Sequence, residues 1–304
     1  MSKVYDILII GGGPAGYTAA LYGARSGFAT AVLEKLSPGG QMATTSDVEN
    51  YPGFPGVVDG FELGERMQEG AEKAGAETFF AEVSKVDLLA DPKVVETSEG
   101  TFLGRTVILA TGAHPRKLGI PQEEALVNRG VAYCATCDGN FYKDKVVVVN
   151  GGNTAVGDAL YLAKLASKVY LVHRRDTLRA TPIYLQRLKD AGVEIIWNSV
   201  VSGLQADKKL TGVELTDVKT GEKRVLPADG LFVAIGQLPE SSLAAGQVAT
   251  DKAGYIMAGE DTKTSVPGVF AVGDVRTKAV RQIITAAADG AVAIHYAEEY
   301  LNEK

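Results

Sequence analysis

The chain contains one residue pattern twice, and this repeat restricts the folds that it can adopt. Residues 6–35 read DILIIGGGPAGYTAALYGARSGFATAVLEK, and residues 145–175 read KVVVVNGGNTAVGDALYLAKLASKVYLVHRR. Each copy has an apolar strand, a glycine turn, an Ala- and Leu-rich helix and a second apolar strand. This order is typical of a βαβ unit that binds a dinucleotide, and two copies in this context are strong evidence for it.

The glycines of the first copy have separate physical uses. Gly11 allows a tight turn after the strand, Gly13 lets the backbone approach a pyrophosphate, and Gly16 lets the helix pack closely on the strand. The phosphates would lie at the helix N-terminus, where free N–H groups and the helix dipole favour anions. The predicted binding loop comprises Gly11, Gly13, Pro14, Ala15 and Gly16. The corresponding loop of the second copy comprises Gly151, Gly152, Asn153 and Thr154.

The two copies differ where the second strand ends. Glu34 ends the first copy, and its carboxylate can accept hydrogen bonds from a ribose diol, which favours FAD or NAD. The aligned position of the second copy begins a basic group, His173, Arg174, Arg175 and Arg179. Guanidinium groups there can hold a 2′-phosphate with bidentate hydrogen bonds. The first site is therefore predicted to bind FAD and the second NADPH.

Composition excludes several other classes of protein. The 304 residues are 46% hydrophobic and 22% charged, which is typical of a globular protein with room for two domains. A net charge of −6 argues against a general nucleic-acid binder. No apolar run reaches the about 18 residues that a membrane helix needs. The N-terminal apolar run is followed by the glycine turn and not by a cleavage site, so a cytoplasmic location is expected.

Further strand and helix patterns follow each copy of the repeat. Residues 107–113 and 231–239 are apolar strands that end in glycine turns, and residues 265–275 place Asp274 just after another strand. Residues 281–301 have the periodicity of a long amphipathic helix. We expect an α/β protein in which residues 1–114 and 243–304 form an FAD domain, interrupted by an NADPH domain at residues 115–242.

The only two cysteines, Cys134 and Cys137, lie just before the second copy. A static disulfide is unexpected in the cytoplasm and would stabilise little across so short a loop. Zinc needs four ligands, or three and a water, and the two thiolates lack partners because the chain has no other cysteine and one of its three histidines, His173, is already assigned to the second dinucleotide site. A zinc ion shared by two chains stays an alternative. A redox pair fits best, with Asp138 able to move a proton to or from a departing thiolate.

In order and spacing, the motifs of nearly the whole chain resemble those of the low-molecular-weight bacterial thioredoxin reductases. The resemblance rests on GGGPAG, PGGQM, VENYPGFP, ATGA, CATCDG, GGNTAVGDALYLA, HRRDTLRA and VFAVGDVRTKAVRQIITAAADGAVA. It implies two Rossmann-like, three-layer ββα domains with the NADPH domain inserted into a split FAD domain. It further implies a redox CxxC, a thioredoxin-like protein partner, a homodimer and no metal.

The resemblance also assigns residues to the flavin and to the disulfide. The implied FAD contacts beyond the first turn are Gly39, Gly40, Gln41, Asn50, Thr111, Gly112, Gly273, Asp274, Arg281, Gln282 and Ile283. Cys137 is implied to lie nearer the flavin, with Cys134 presented to the partner. Because the disulfide and NADPH belong to one domain and need the same flavin ring, we expect that domain to swivel between two poses.

The chain departs from the family pattern in two places. Asn150 aligns with Gly11, where the family usually has glycine, and its side chain would crowd a pyrophosphate although Asn tolerates positive φ. Gly157 and Asp158 replace a usual pair of glutamates. These departures leave alternatives open: a flavin-dependent dithiol oxidase, which Asn150 favours, a reductase with another electron donor, or a non-enzymatic scaffold that binds a dinucleotide or zinc.

Overall fold

The computed structural model describes residues 3–45, 47–178 and 182–303, apart from the side chains of Asn153 and Pro182. The chain forms two compact units. Unit 1 comprises Met1–His114 and Leu238–Lys304, and unit 2 comprises Pro115–Gln237.

Unit 1 is built on one sheet and three helices. Its strands are β1 (Val4–Ile10), β2 (Thr30–Glu34), β3 (Glu77–Phe80), β4 (Val83–Asp87), β5 (Lys93–Thr97), β6 (Gly100–Leu109) and β17 (Val269–Ala271). Its helices are α1 (Pro14–Arg25), α2 (Gly60–Lys73) and α6 (Ile283–Asn302). The strand order is β3-β2-β1-β6-β5-β4, and β17 also pairs with β6. The pairs among β1, β2, β3, β6 and β17 are parallel, whereas β4, β5 and β6 form an antiparallel meander.

The central strand of unit 1, β1, is buried on both faces, which explains its continuous apolar sequence. Ile7 and Ile9 pack with α1 and α6, whereas Leu8 packs with Val86 and Val95 of the meander. Successive side chains of a strand point to opposite faces, so this division follows from the sequence. Unit 1 therefore has three layers: helices, the parallel strands and the β-meander.

Unit 2 repeats this architecture. Its strands are β8 (Val131–Ala132), β9 (Val146–Gly151), β10 (Lys168–Val172), β11 (Glu194–Ile196), β12 (Ser199–Ala206), β13 (Leu210–Asp217), β14 (Lys223–Pro227) and β15 (Gly230–Ala234). Its helices are α3 (Ala135–Asp138), α4 (Asn153–Leu162) and α5 (Pro182–Asp190). A parallel sheet, β11-β10-β9-β15-β8, packs against α4 on one face and the meander β12-β13-β14 on the other.

The chain passes between the units along β7 (Ala113–Pro115) and returns along β16 (Gln237–Pro239). The second crossing lies between residues 237 and 238, whereas the sequence placed it after residue 242. The segment between already bonds within unit 1: the Glu240 N–H donates to the Gly112 carbonyl (3.0 Å) and the Ser241 hydroxyl to the Gly254 carbonyl (2.6 Å).

Across the described ranges, no helix is both long and apolar enough to cross a membrane.

Candidate redox and dinucleotide-binding sites

The glycine turn after β1 is closed on its inner side. Gly11 has φ +106°, and a Cβ on it would lie 2.5 Å from the Ala110 carbonyl oxygen. A Cβ on Gly16 would overlap the Gly11 carbonyl oxygen, so α1 packs directly on the turn. The backbone conformation and the close approach both require glycine at Gly11, and close packing requires it at Gly16.

The outer side of the same turn is open. Gly13 is the N-cap of α1, Pro14 opens the helix, and a Cβ on Gly13 would meet no atom within 4 Å. The predicted Gly39–Gly40 segment returns to this turn, since the Gly39 N–H donates to the Gly12 carbonyl at 2.8 Å. The N–H groups at the start of α1, which have no acceptor within the helix, can therefore receive an anion, as predicted for a pyrophosphate.

Glu34 is held at the turn by two backbone donors. The Gly12 N–H donates to Oε2 at 2.6 Å, and the Leu36 N–H donates to Oε1 at 3.0 Å. Each carboxylate oxygen keeps a further lone pair, so Glu34 can still accept hydrogen bonds from a ribose diol.

Asp274 supplies an acceptor that lacks a protein partner. It lies in a 3₁₀ turn (Gly273–Val275) just after β17, and its buried Oδ1 has no hydrogen-bond partner. Burial raises the pKa of Asp274, while Lys278 and Arg281 act in the opposite direction. A buried acceptor of this kind is normally satisfied by a ligand or by water. A polyhydroxylated ligand such as the ribityl chain of FAD therefore fits the residues present.

The other predicted FAD residues fall into small groups within unit 1. Asn50 Nδ2 donates to Gln282 Oε1 at 2.9 Å, which joins two segments far apart in sequence. Gln282 also caps α6 through a reciprocal capping box with Thr285, and Ile283 packs on the cluster around Met42. Ala15 is buried in the core on the helix side of the sheet, Gly273 lies against it, and Gln41 is exposed. Thr111 and Gly112 both form hydrogen bonds with Glu240. The guanidinium group of Arg281 lies 4.1 Å from the ring centroid of Tyr255.

The second glycine turn is one residue shorter than the first: the close-packed glycine directly precedes the helix N-cap in unit 2 (Gly151 and Gly152), whereas one residue separates them in unit 1 (Gly11 and Gly13). Asn150 pairs with Val233 inside the sheet, as Ile10 pairs with Leu109 in unit 1, and Asn150 does not adopt positive φ. Gly151 has the same kind of close contact as Gly11, because a Cβ on it would overlap the Ala234 carbonyl oxygen, but it lacks the positive φ of Gly11. Asn150 is therefore a buried residue inside β9, which ends at Gly151, and it does not lie in the turn where it was expected to crowd a pyrophosphate.

The outer side of the second turn is also open. Gly152 is the N-cap of α4 and a Cβ on it would meet no atom within 4 Å, which matches Gly13. Asn153 begins the helix and Thr154 is exposed. Gly157 likewise faces open space, and burial raises the pKa of Asp158 to about 6.

The basic residues that follow β10 have different roles. His173 does not offer free ring nitrogens: Nδ1 lies 2.8 Å from the Gly151 carbonyl oxygen and Nε2 lies 3.1 Å from that of Thr177. The ring thus joins the glycine turn to the basic loop, a positioning role that the sequence did not indicate. Arg174 and Arg175 are exposed beside it, and Arg179 lies outside the described residues. The exposed guanidinium groups and the open turn fit a phosphorylated dinucleotide.

Cys134 and Cys137 form a disulfide within unit 2, with a Cα–Cα distance of 5.3 Å. Cys134 is the N-cap of α3, and its Sγ accepts the Cys137 N–H at 3.2 Å. A donor aimed at this sulfur favours the thiolate over the thiol once the disulfide is reduced. Burial raises the pKa of the neighbouring Asp138 to about 6, so this carboxyl can hold and release a proton near neutral pH.

Other residues near these sites were missed from the sequence. Asp289 of α6 binds Arg276 and Lys278 in a buried cluster next to the Gly273–Val275 turn. The sequence did contain a signal for this cluster: two basic residues, Arg276 and Lys278, follow the GDV motif, and an acidic residue, Asp289, comes next in the Ala-rich helix. The described part of the chain contains no group of three or more His, Cys, Asp or Glu side chains arranged to hold a metal ion.

Two βαβ turns suited to dinucleotides, together with a disulfide in the same unit as one of them, define a dinucleotide-dependent disulfide oxidoreductase. A family model described as pyridine nucleotide-disulphide oxidoreductase matches residues 5–290. The chain is 45% identical to a thioredoxin reductase of Listeria monocytogenes, over 99% of the chain and 95% of that protein. It is 44% identical to one of Bacillus subtilis, over 99% and 96%.

Solved structures agree with this relationship. The thioredoxin reductase of Streptococcus pyogenes gives a TM-score of 0.92 at 43% identity and covers both chains fully. That of Lactococcus lactis, described as an FR conformation, gives 0.70 at 43% identity over 99% of this chain and 100% of that one. The chain belongs to the thioredoxin reductases of the pyridine nucleotide-disulphide oxidoreductase family, which use FAD and NADPH. The predicted fold class is confirmed.

Proposed function

We propose that the protein is a thioredoxin-disulfide reductase, which uses NADPH and FAD to reduce the disulfide of a small thioredoxin-like protein. The observation that carries this proposal is the Cys134–Cys137 disulfide beside Asp138, in a chain whose relatives over 99% of its length are thioredoxin reductases.

In this proposal FAD is held by unit 1. The start of α1 receives the pyrophosphate, Glu34 accepts from the adenosine ribose, and Asp274 accepts from the ribityl chain. The proposed FAD site is completed by Gly39, Gly40, Asn50 and Gln282. When bound, FAD carries electrons from the nicotinamide to the disulfide.

Unit 2 holds NADPH by the same kind of turn. The open N-terminus of α4 at Gly152 receives the pyrophosphate, and Arg174 and Arg175 hold the 2′-phosphate. His173 keeps the turn and the basic loop together through its two carbonyl contacts.

The reduced pair then transfers two electrons to the partner by thiol–disulfide exchange. The Cys134 thiolate attacks one sulfur of the partner disulfide, which forms a mixed disulfide and releases the other partner sulfur as a thiolate. The Cys137 thiolate next attacks Cys134 Sγ, which re-forms the Cys134–Cys137 disulfide and releases the second partner sulfur. Asp138 takes the proton from a Cys thiol and supplies it to a departing thiolate, so charge and protons balance.

A swivel of unit 2 between two poses is part of the proposal. The disulfide and the NADPH turn both belong to unit 2, so one flavin has to meet each of them in turn. Support comes from two solved relatives, each 43% identical to the chain, whose TM-scores of 0.92 and 0.70 differ widely. Such domain motions occur on the microsecond to millisecond scale.

The assembly and location are also proposed. A homodimer formed through unit 1 would cover large apolar side chains that this unit exposes, among them Leu36, Val57 and Val280. Light scattering coupled to gel filtration tests this state directly. A cytoplasmic location would keep the partner supplied with electrons where most NADPH-dependent reduction of thiols takes place.

Anaerobic titration tests the proposed activity. NADPH should bleach the flavin of the wild-type protein, and oxidised thioredoxin from the same cell should then restore the colour. In Cys134→Ser, bleaching should persist and thioredoxin turnover should be lost, with Cys137→Ser as the matched variant. Turnover that survives Cys134→Ser would refute the assignment. A flavin that NADPH cannot bleach, but that dithiols reduce and O₂ reoxidises, would identify a dithiol oxidase instead.

A further inference from the structure

Asp289 is the centre of a buried charge cluster in unit 1. Its Oδ2 accepts hydrogen bonds from the Gly273 N–H, Arg276 Nε and Lys278 Nζ, each at 2.8 Å. Its Oδ1 accepts from Arg276 Nη2 at 2.7 Å. The side chains of Arg276, Lys278 and Asp289 are only 10%, 7% and 9% exposed. One carboxylate therefore holds two cations away from water.

The cluster contacts the candidate FAD site of unit 1 at two places. The Gly273 N–H that Asp289 binds belongs to the turn that carries Asp274, whose Oδ1 lacks a partner. Lys278 Nζ also donates to the Thr285 carbonyl at 3.2 Å, in the first turn of α6. The cluster thus fixes the Asp274 turn and the start of α6 to each other.

The charges of this region do not cancel. Asp274 and Asp289 supply two carboxylates, whereas Arg276, Lys278 and Arg281 supply three cations. Lys278 and Arg281 favour the charged form of Asp274 and so lower its pKa, whereas Asp289 acts in the opposite direction. One formal positive charge remains, and the side chains of Arg276 and Lys278 are largely shielded from water, which weakens its screening.

We propose that Lys278, positioned by Asp289, supplies the positive charge that raises the reduction potential of the flavin bound in unit 1. Reduction of a flavin at neutral pH adds negative charge to its ring, and a preorganised buried cation favours the form with more negative charge. The inference rests on the proposed FAD site and assigns a new charge-supplying residue to it.

The test compares Lys278→Met with Lys278→Arg in the holoprotein. The flavin is equilibrated with a redox dye of known potential under argon, and FAD content is measured for each variant. In Lys278→Met, FAD should be retained and the equilibrium should shift about tenfold toward oxidised flavin, which equals about 30 mV for a two-electron couple. Lys278→Arg restores the charge and should stay near the wild type.

Lys252→Met is the matched control, because Lys252 is an exposed lysine of the same unit. It should leave the dye equilibrium unchanged. A Lys278→Met flavin with wild-type potential would show that the lysine only packs, and would overturn the inference. If Lys278→Met loses FAD, Lys278→Gln is measured with saturating FAD, and an unshifted potential there has the same meaning.

The two proposals fail in different ways. A wild-type protein that binds no FAD, or whose flavin NADPH cannot bleach, refutes the proposed function. A wild-type flavin that NADPH bleaches, with a potential indifferent to Lys278, refutes this inference alone.

Discussion

Gly151 lies against Ala234 so closely that a Cβ on Gly151 would overlap the Ala234 carbonyl oxygen. Gly11 has the same relationship to Ala110 in the other unit. In both units the end of the strand that leads into the turn therefore lies close against the end of a neighbouring parallel strand. The need for glycine arises from this close approach, which falls one position later in unit 2 than an alignment by sequence indicates.

Gly151→Ala is expected to destabilise unit 2 by about 1–3 kcal/mol, because the new methyl group has to displace backbone and not a flexible side chain. The same displacement should weaken NADPH binding, since the turn would move away from the start of α4. Thermal unfolding and NADPH titration measure the two effects. Asn150→Gly is the control and should bind NADPH as the wild type does. Equal loss in both variants would contradict this account of the turn.

The fold was readable from the sequence because each element carries a local signal. Continuous apolar runs marked β1 and β9, and glycines marked the turns that follow them. The alternation of Ile7, Leu8 and Ile9 between two cores is a direct consequence of strand geometry. The helices and the parallel strands follow from these patterns, whereas the β-meander layer of each unit was implied only by the family resemblance.

The details of the sites depended on contacts that sequence distance hides. The Asn50–Gln282 hydrogen bond joins residues that no local pattern relates. His173 occupies the position at which a ribose-binding residue was expected, yet both of its ring nitrogens lie within hydrogen-bond distance of backbone carbonyl oxygens. Asp289 lies in an Ala-rich helix, and the two basic residues that follow GDV do not by themselves show that it binds Lys278, because this contact requires the preceding turn to fold back on α6.

Asp138 predicts a pH dependence of both stability and exchange. Burial raises its pKa from 3.8 to about 6, so the folded protein binds this proton more tightly than the unfolded chain. The stability contributed by this group is therefore present below about pH 4 and is lost as pH rises to 6. Asp138→Asn should remove that loss, worth on the order of 1–3 kcal/mol. Urea unfolding of the oxidised protein from pH 4 to 7 measures it.

Asp158 provides the comparison, because burial raises its pKa to about 6 as well. Asp158→Asn should change stability in the same pH window and leave exchange with thioredoxin unaffected. Asp138→Asn should instead slow exchange and remove a break near pH 6 in its rate. An unchanged rate profile in Asp138→Asn would exclude this carboxyl as the proton donor.

Arg174 and Arg175 predict the preference for NADPH over NADH. Both side chains are exposed and follow β10 beside the second glycine turn. Charge-assisted hydrogen bonds contribute about 1.5–3 kcal/mol each, so Arg174→Gln and Arg175→Gln should each weaken NADPH binding by about 10- to 100-fold. NADH binding should change little. Arg224→Gln, on an exposed strand of the same unit, matches the charge change and should affect neither. Equal weakening of both nucleotides would place the 2′-phosphate elsewhere.

Glu34 predicts the strength of FAD binding. Its two oxygens each accept one backbone N–H, from Gly12 at 2.6 Å and from Leu36 at 3.0 Å. Glu34→Gln replaces one acceptor with an amide N–H₂, which cannot accept from the turn or from a ribose hydroxyl. We expect FAD to dissociate about 10- to 100-fold more readily, as the loss of a charged hydrogen-bond partner implies.

Dialysis followed by flavin fluorescence measures this loss, and Glu99→Gln, an exposed glutamate of unit 1, serves as the control. Unfolding of the flavin-free protein separates the two roles of the carboxylate. If Glu34→Gln is less stable than the wild type even without FAD, the lost interaction is the hydrogen bond from Gly12. If it is less stable only with FAD bound, the lost interaction is the one with the adenosine ribose. If Glu34→Gln retains FAD as firmly as Glu99→Gln does, the adenosine ribose does not bind at this carboxylate.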